Sequence, residues 1–308
     1  MVKEVLAWGG FIIFVLAMLA LDLGIFQRKS HEIRIKESLW LTVFWISLAL
    51  LFNLGIYWIR GPHSAFEFLT GYLVEESLSV DNIFVFLMIF SYFSVPAHVQ
   101  RKALVWGILG AIILRAVFIL TGLTLIRKFE WLIYVFGGLL IWTGIKMFSA
   151  PEKQIKPEQN PVLKLFRRFV PVTEGYEHGS FFIKRSGQYF ATPLFVVLLV
   201  IETTDIVFAV DSIPAIFGVT LDPFIVYTSN IFAILGLRAL YFTLAGMMKH
   251  FHYLSYGLSV ILVFIGIKML VSSFFPIPIH IALSIVASIL AFSVFFSLIQ
   301  PEHFKPLK

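Results

Sequence analysis

Glu75-Glu76-Ser77-Leu78-Ser79-Val80-Asp81-Asn82 and Glu202-Thr203-Thr204-Asp205-Ile206-Val207-Phe208-Ala209-Val210-Asp211-Ser212-Ile213-Pro214 are two acidic stretches set inside long apolar runs. Working outward from them, apolar runs of about twenty residues, each long enough to cross a hydrocarbon core, recur along nearly the whole chain. Nine spans are read, at 5–26, 39–59, 67–93, 103–125, 131–149, 190–217, 223–246, 253–273 and 279–299. Only 14% of the 308 residues are charged and 34 are Phe, whereas a soluble domain carries about 25% charged residues. The reading is an all-α membrane protein whose solvent is mostly lipid. The first span runs too long for a signal-peptide core and ends in Arg28, Lys29, Arg34 and Lys36, so it reads as a retained helix.

The basic residues mark orientation, not nucleic-acid binding, because they sit between apolar runs. Sixteen lie at the ends that include 28–36, 101–102, the long connection 150–189, Lys249 and the C-terminal tail, against Lys3, Arg60, Arg127 and Lys128 at the other ends. That asymmetry puts the N-terminus outside and the C-terminus with the 150–189 loop in the cytoplasm. The loop holds Pro151, Pro157, Pro161 and Pro171 and reads as a mobile linker or a small extramembrane subdomain.

The chain repeats itself. Asp81 and its neighbours resemble Asp205 and its neighbours, Leu114-Arg115-Ala116 matches Leu237-Arg238-Ala239, and Gly144-Ile145-Lys146-Met147 recurs as Gly266-Ile267-Lys268-Met269. The offsets are 124, 123 and 122. A competing local register pairs Asp81-Asn82-Ile83 with Asp211-Ser212-Ile213 at an offset of 130; the first is preferred because it needs no slip. Repeat one covers 67–149 and repeat two 190–273. Each holds three spans, an odd number, so the second copy is inverted, and inverted copies place a transporter site between them near the midplane.

Charges inside spans are costly and mark functional candidates. Spans 3 and 6 hold Glu75, Glu76, Asp81, Glu202, Asp205 and Asp211 against Arg115 and Arg238 in spans 4 and 7. The arginines read as counter-ions; Asp22 reads as an interfacial helix-end residue and Glu76 as an arginine partner. The acidic surplus calls for a bound cation or protons. Asp81 pairs by height with Asp205, and Glu75 with Asp211. Six residues turn a helix through about 240°, so a break is expected, and Pro214 supplies one by freeing the Val210 carbonyl. Asn82, Ser79, Thr203, Thr204 and Ser212 add neutral oxygens. An all-oxygen donor set favours Mg²⁺, Ca²⁺ or Mn²⁺ over Zn²⁺ or Cu⁺. The chain has no cysteine and no Gly-rich phosphate loop or nucleophilic triad, so no enzyme chemistry and no resident cofactor are expected.

The two acidic stretches resemble the paired signatures of the TerC integral membrane family, closest to its Alx-type bacterial members. The resemblance implies a LysE-like fold with inverted repeats, location in the bacterial inner membrane, and export of manganese as the cargo. It implies a site of Glu75, Asp81, Asp205 and Asp211 with Glu202 close by. The surplus carboxylates would offer a route for proton coupling. The rival reading is a membrane assembly or stress factor, with a structural acidic network and a loop that recruits partners.

Overall fold

Proline opens two of the helices that matter most. Pro62 and Pro193 each occupy the first turn of a long helix, where the missing N–H would have had no intrahelical partner anyway. The computed structural model describes residues 2–25, 35–149, 160–185, 187–247 and 253–299. Among them, nine long helices take up the nine spans: α1 (Val2–Ile25), α2 (Ile35–Arg60), α3 (Pro62–Tyr92), α4 (Ala97–Lys128), α5 (Leu132–Ser149), α7 (Pro193–Phe217), α8 (Pro223–Met247), α9 (Leu254–Val271) and α10 (Ile279–Ile299). Seven candidate spans among the described residues are long and apolar enough to cross a membrane. The stretch that α3 forms is not one of them, because Glu67, Glu75 and Glu76 interrupt its apolar run.

The long connection is not a bare linker. It holds a short helix, α6 (Pro161–Phe169), and an antiparallel hairpin, β1 (Phe182–Arg185) with β2 (Gln188–Ala191). The hairpin extends past residue 189, so the second repeat begins at Pro193 and not at 190. Asn160 caps α6, its side chain accepting from the Val162 and Leu163 amides. The subdomain is tied to the helix ends. The Tyr176 hydroxyl donates to the Phe93 carbonyl, and the Lys102 ammonium donates to the Gly179 carbonyl. The connection's residues 150–159, including Pro151 and Pro157, lie outside the described residues. So do Arg28, Lys29, Arg34, Lys249 and the tail.

The closest helix pair is α5 with α9, and its contacts come in matched couples. A methyl added at Gly144 would sit 2.7 Å from both the Ser259 carbonyl oxygen and the Val263 side chain. One added at Gly266 would sit 2.6 Å from the Gly137 carbonyl oxygen and 2.8 Å from the Ile141 side chain. An offset of 122 carries the first set onto the second: 144 to 266, 137 to 259 and 141 to 263. Gly137 lies opposite Gly266 and Gly144 opposite Ser259, so the two helices run antiparallel. Small residues let the backbones approach this closely.

The remaining contacts exchange in the same way. Helix α3 packs on α8 as α7 packs on α4, and α3 meets α9 as α7 meets α5. One couple decides between the two registers. Gly107 of α4 faces Ile201 of α7, and Gly71 of α3 faces Ser229 of α8. The α4-to-α8 offset carries Gly107 to within one residue of Ser229. Ile201 then corresponds to Gly71, an offset of 130. The starts at Pro62 and Pro193 agree to one residue. The register preferred on sequence, 124, is therefore corrected for α3 and α7: Glu75 corresponds to Asp205, Asp81 to Asp211 and Asn82 to Ser212. The slip from 130 to 122 is absorbed between the helices, in connections that tolerate length changes.

Candidate functional site

The centre of the bundle is built on Arg115, which is 1% exposed. Its guanidinium donates to Glu75 on α3 through Nη1 and to Asp205 on α7 through Nη2, the latter at 3.3 Å. Nη1 also reaches Asn230 Oδ1 of α8 at 3.0 Å and Ser212 Oγ at 3.4 Å. The Asn230 amide donates in turn to the second oxygen of Glu75 at 3.0 Å. One planar fork thus joins four helices, a geometry that lysine's point charge does not reproduce. Breaking a buried pair of this kind by removing one partner costs about 3–5 kcal/mol.

Glu202 stands one turn before Asp205 and faces α4, where its carboxylate fills the space left by Gly110. Only a residue without a side chain at 110 leaves that room. Two carboxyl groups, Glu75 and Asp205, thus share one guanidinium, and the Glu202 carboxyl group stands beside them, one turn from Asp205 and against Gly110. Asp205 Oδ2, Glu202 Oε2 and Ser79 Oγ are buried without a hydrogen-bond partner. Buried acceptors left open in this way are costly, and a hard cation has a use for them. Among the described residues, no three His, Asp or Glu side chains converge as a ready-made metal cage. The guanidinium is itself the cation between Glu75 and Asp205.

The other predicted residues fall as follows. The Asp81 backbone lies in α3, about 9 Å along the axis from Glu75; its side chain is outside the described residues, as is that of Asp22 in α1. Asp211 is turned away from Asp205 and accepts from Thr143 of α5 at 3.0 Å. The expected break at Pro214 is absent: α7 continues to Phe217 with Pro214 inside it. An unbroken helix has to aim residues six apart at different neighbours, which is why Asp205 meets α4 while Asp211 meets α5. The expected pairing of Glu75 with Asp211 gives way to Glu75 and Asp205 on one guanidinium, because the arginine is long enough to bridge both heights.

Thr203 does not serve the acidic cluster. Its hydroxyl accepts from the Asn160 amide at 2.7 Å and lies within 3.0 Å of the Leu199 and Val200 carbonyls. Thr204 donates to the Val200 carbonyl. Asn82 and Ser212 are buried, as is Arg238 in α8. Glu76 pairs with the Tyr72 hydroxyl one turn back, where an arginine had been expected. Asn230 was missed on sequence, although Thr228-Ser229-Asn230 is a polar interruption of span 7 and could have flagged it. Thr143 and Gly110 carry no comparable signal, since only packing gives them their partners.

Known proteins resemble this chain along most of its length. The profile described as "Integral membrane protein TerC family" matches residues 60–305. An "Uncharacterized membrane protein STKORF319" of Myxococcus xanthus is 52% identical over 296 residues, covering 96% of this chain and 93% of the relative. The "Putative membrane-bound redox modulator Alx" of Escherichia coli (strain K12) is 50% identical over 295 residues, 92% of each. A Rickettsia bellii "Uncharacterized membrane protein" is 42% identical over 295 residues, 96% of this chain and 98% of the relative. No solved structure matches the chain.

Proposed function

The chain belongs to the TerC family of integral membrane proteins, and from that premise we propose that it is a secondary transporter exporting a hard divalent cation, with Mn²⁺ as cargo. The observation that carries this reading is the buried pair of Glu75 and Asp205 on a single guanidinium, with Glu202 one turn away on the same helix as Asp205 and open oxygens on Asp205 and Glu202. The excess of carboxyl groups balances a divalent ion. The choice of manganese and the outward direction rest on the family resemblance.

In this mechanism Arg115 is a tethered stand-in for the cargo. It holds Glu75 and Asp205 when no ion is bound and withdraws when the ion arrives. Inverted copies reach the opposite open state by exchanging conformations. That exchange carries Arg115 onto Arg238 and Glu75 onto Asp205, so the same two carboxyl groups serve both states, with Arg238 as their partner in the second. Protons released when the metal binds the carboxyl groups supply a route for coupling. The redox wording in the names of relatives is compatible with this reading. A chain without cysteine has no thiol of its own to exchange, whereas moving a redox-active metal alters redox balance at a distance.

The test is Mn²⁺ flux into liposomes holding the purified chain, read by an entrapped metal-sensitive dye. Flux in the wild type that is lost in folded Asp205→Asn supports the transporter. A folded wild type that passes no Mn²⁺ under either sign of proton gradient rules it out.

A further inference from the structure

Pro161-Val162-Leu163-Lys164-Leu165-Phe166-Arg167-Arg168-Phe169 has three faces when wound as the nine-residue helix α6. Leu163 and Phe166, three apart, turn inward: Leu163 is buried, and the Phe166 ring lies 5.2 Å from that of Phe195. Val162, Leu165 and Phe169 form a second stripe at spacings of three and four that points away from the protein, with Leu165 55% and Phe169 77% exposed. Lys164, Arg167 and Arg168 form the third stripe and are also exposed.

The helix has a defined depth. Asn160, at its start, reaches Thr203, and Phe166 reaches Phe195. Those two α7 residues lie eight apart, about 12 Å along the axis. Helix α6 therefore runs antiparallel alongside α7 and brings Arg167 and Arg168 to the end where α7 enters the bundle. The hairpin adds exposed Phe182, Tyr189 and Lys184 to the same subdomain. Arg185 is paired with Glu177. Among the subdomain's described residues, Lys and Arg outnumber Asp and Glu, with Lys164, Arg167, Arg168, Lys184 and Arg185 against Glu174 and Glu177. A helix with one apolar and one basic exposed face lies at a membrane boundary, and its affinity grows with the negative charge of the lipid.

We infer that α6 docks on an anionic phospholipid surface, with Val162, Leu165 and Phe169 in the acyl boundary and Lys164, Arg167 and Arg168 on the phosphates. The occupant is lipid and not a soluble protein because α6 is held against α7, a helix long and apolar enough to cross a membrane, and its apolar stripe is flanked by exposed basic side chains. The docking stands apart from the transport reading, since neither Mn²⁺ nor the Arg115 group takes part in it.

The chain lacks cysteine, so Phe169→Cys gives a single labelling site on the full chain for a polarity-sensitive dye. The protein is placed in nanodiscs of zwitterionic lipid alone or with an anionic phospholipid added. The expected result is bluer emission and stronger quenching by bilayer-resident probes in the anionic discs. Arg167→Gln with Arg168→Gln should lower the ratio of docked to undocked helix by about fivefold per arginine, and added salt should act in the same direction. Leu165→Cys serves as a second reporter in case labelling at 169 disturbs the helix. Emission that is the same in both lipids and in the glutamine variants overturns the proposal. So does ready quenching by aqueous iodide in anionic discs, and so does protection that appears only when a soluble protein is added. Mn²⁺ flux is not part of the readout, so failure of one reading leaves the other standing.

Discussion

Helices α3 and α7 share a pattern and then depart from it. Both carry an acid at the corresponding positions Glu75 and Asp205, a second acid at Asp81 and Asp211, and a neutral amide or hydroxyl next to it at Asn82 and Ser212. Beside this shared set, α7 adds Glu202 where α3 has Tyr72, and α3 adds Glu76 where α7 has Ile206. The additions are handled differently. Glu76 is paired with Tyr72 in its own helix, whereas Glu202 faces the gap at Gly110, and each keeps one buried oxygen open. Residues that must work in both open states have to occur in both copies, while unshared residues make the two states unequal in energy.

The harshest way to break that comparison is to neutralise the shared pair. Glu75→Gln and Asp205→Asn should each reduce Mn²⁺ flux in liposomes to background while the protein stays monodisperse in detergent. Full flux in either variant would mean that the two acids are not one site.

The arginines come next. Arg115→Gln should destabilise the protein by about 3–5 kcal/mol, read from thermal or denaturant unfolding. It should also bind Mn²⁺ more tightly than the wild type, because the tethered competitor is gone, and the added ion should recover more of the lost stability than it does in the wild type. Arg238→Gln should show a smaller gain in binding, since Arg115 still occupies the carboxyl groups. Equal gains in the two variants would contradict the idea that Arg115, and not Arg238, holds the two acids in this structure.

Packing offers a milder test of the two-fold relation. Gly144→Ala and Gly266→Ala force a methyl against a carbonyl oxygen and a side chain of the partner helix, and overpacking of this kind costs about 1–3 kcal/mol. Matched surroundings predict similar losses of stability in both; a loss in one alone would show that the couples are not equivalent.

The smallest effect belongs to the subdomain. Asn160→Ala removes a helix cap worth about 1 kcal/mol together with the bond to Thr203. Unfolding should begin slightly earlier and Mn²⁺ flux should persist. Abolished flux would bring the subdomain into the transport path.

Much of this molecule was open to reading in one dimension. The span positions, the two acidic stretches and the paired arginines follow from hydrophobic run length and from the cost of charge in lipid. The hairpin was not legible, because Phe-Ile-Lys-Arg and Gln-Tyr-Phe-Ala are short segments inside a charged connection. Asn230 was passed over among acids with a stronger signal. The break at Pro214 was over-read, because a proline in the last turns of a helix needs no rupture when the chain is about to end it.

What the sequence determined by itself is local: where a helix must cross lipid, and which polar side chains are too costly to be there without purpose. Which acid meets which partner was settled only in three dimensions. Two registers, 124 and 130, were both readable along the chain, and the facing couples Gly107 with Ile201 and Gly71 with Ser229 chose the second. Likewise, no helical spacing on α3 or α7 says that Glu75 and Asp205 share a guanidinium. That contact depends on the crossing of α3, α4 and α7 and on the reach of Arg115 between them, and both of these exist only once the helices have packed.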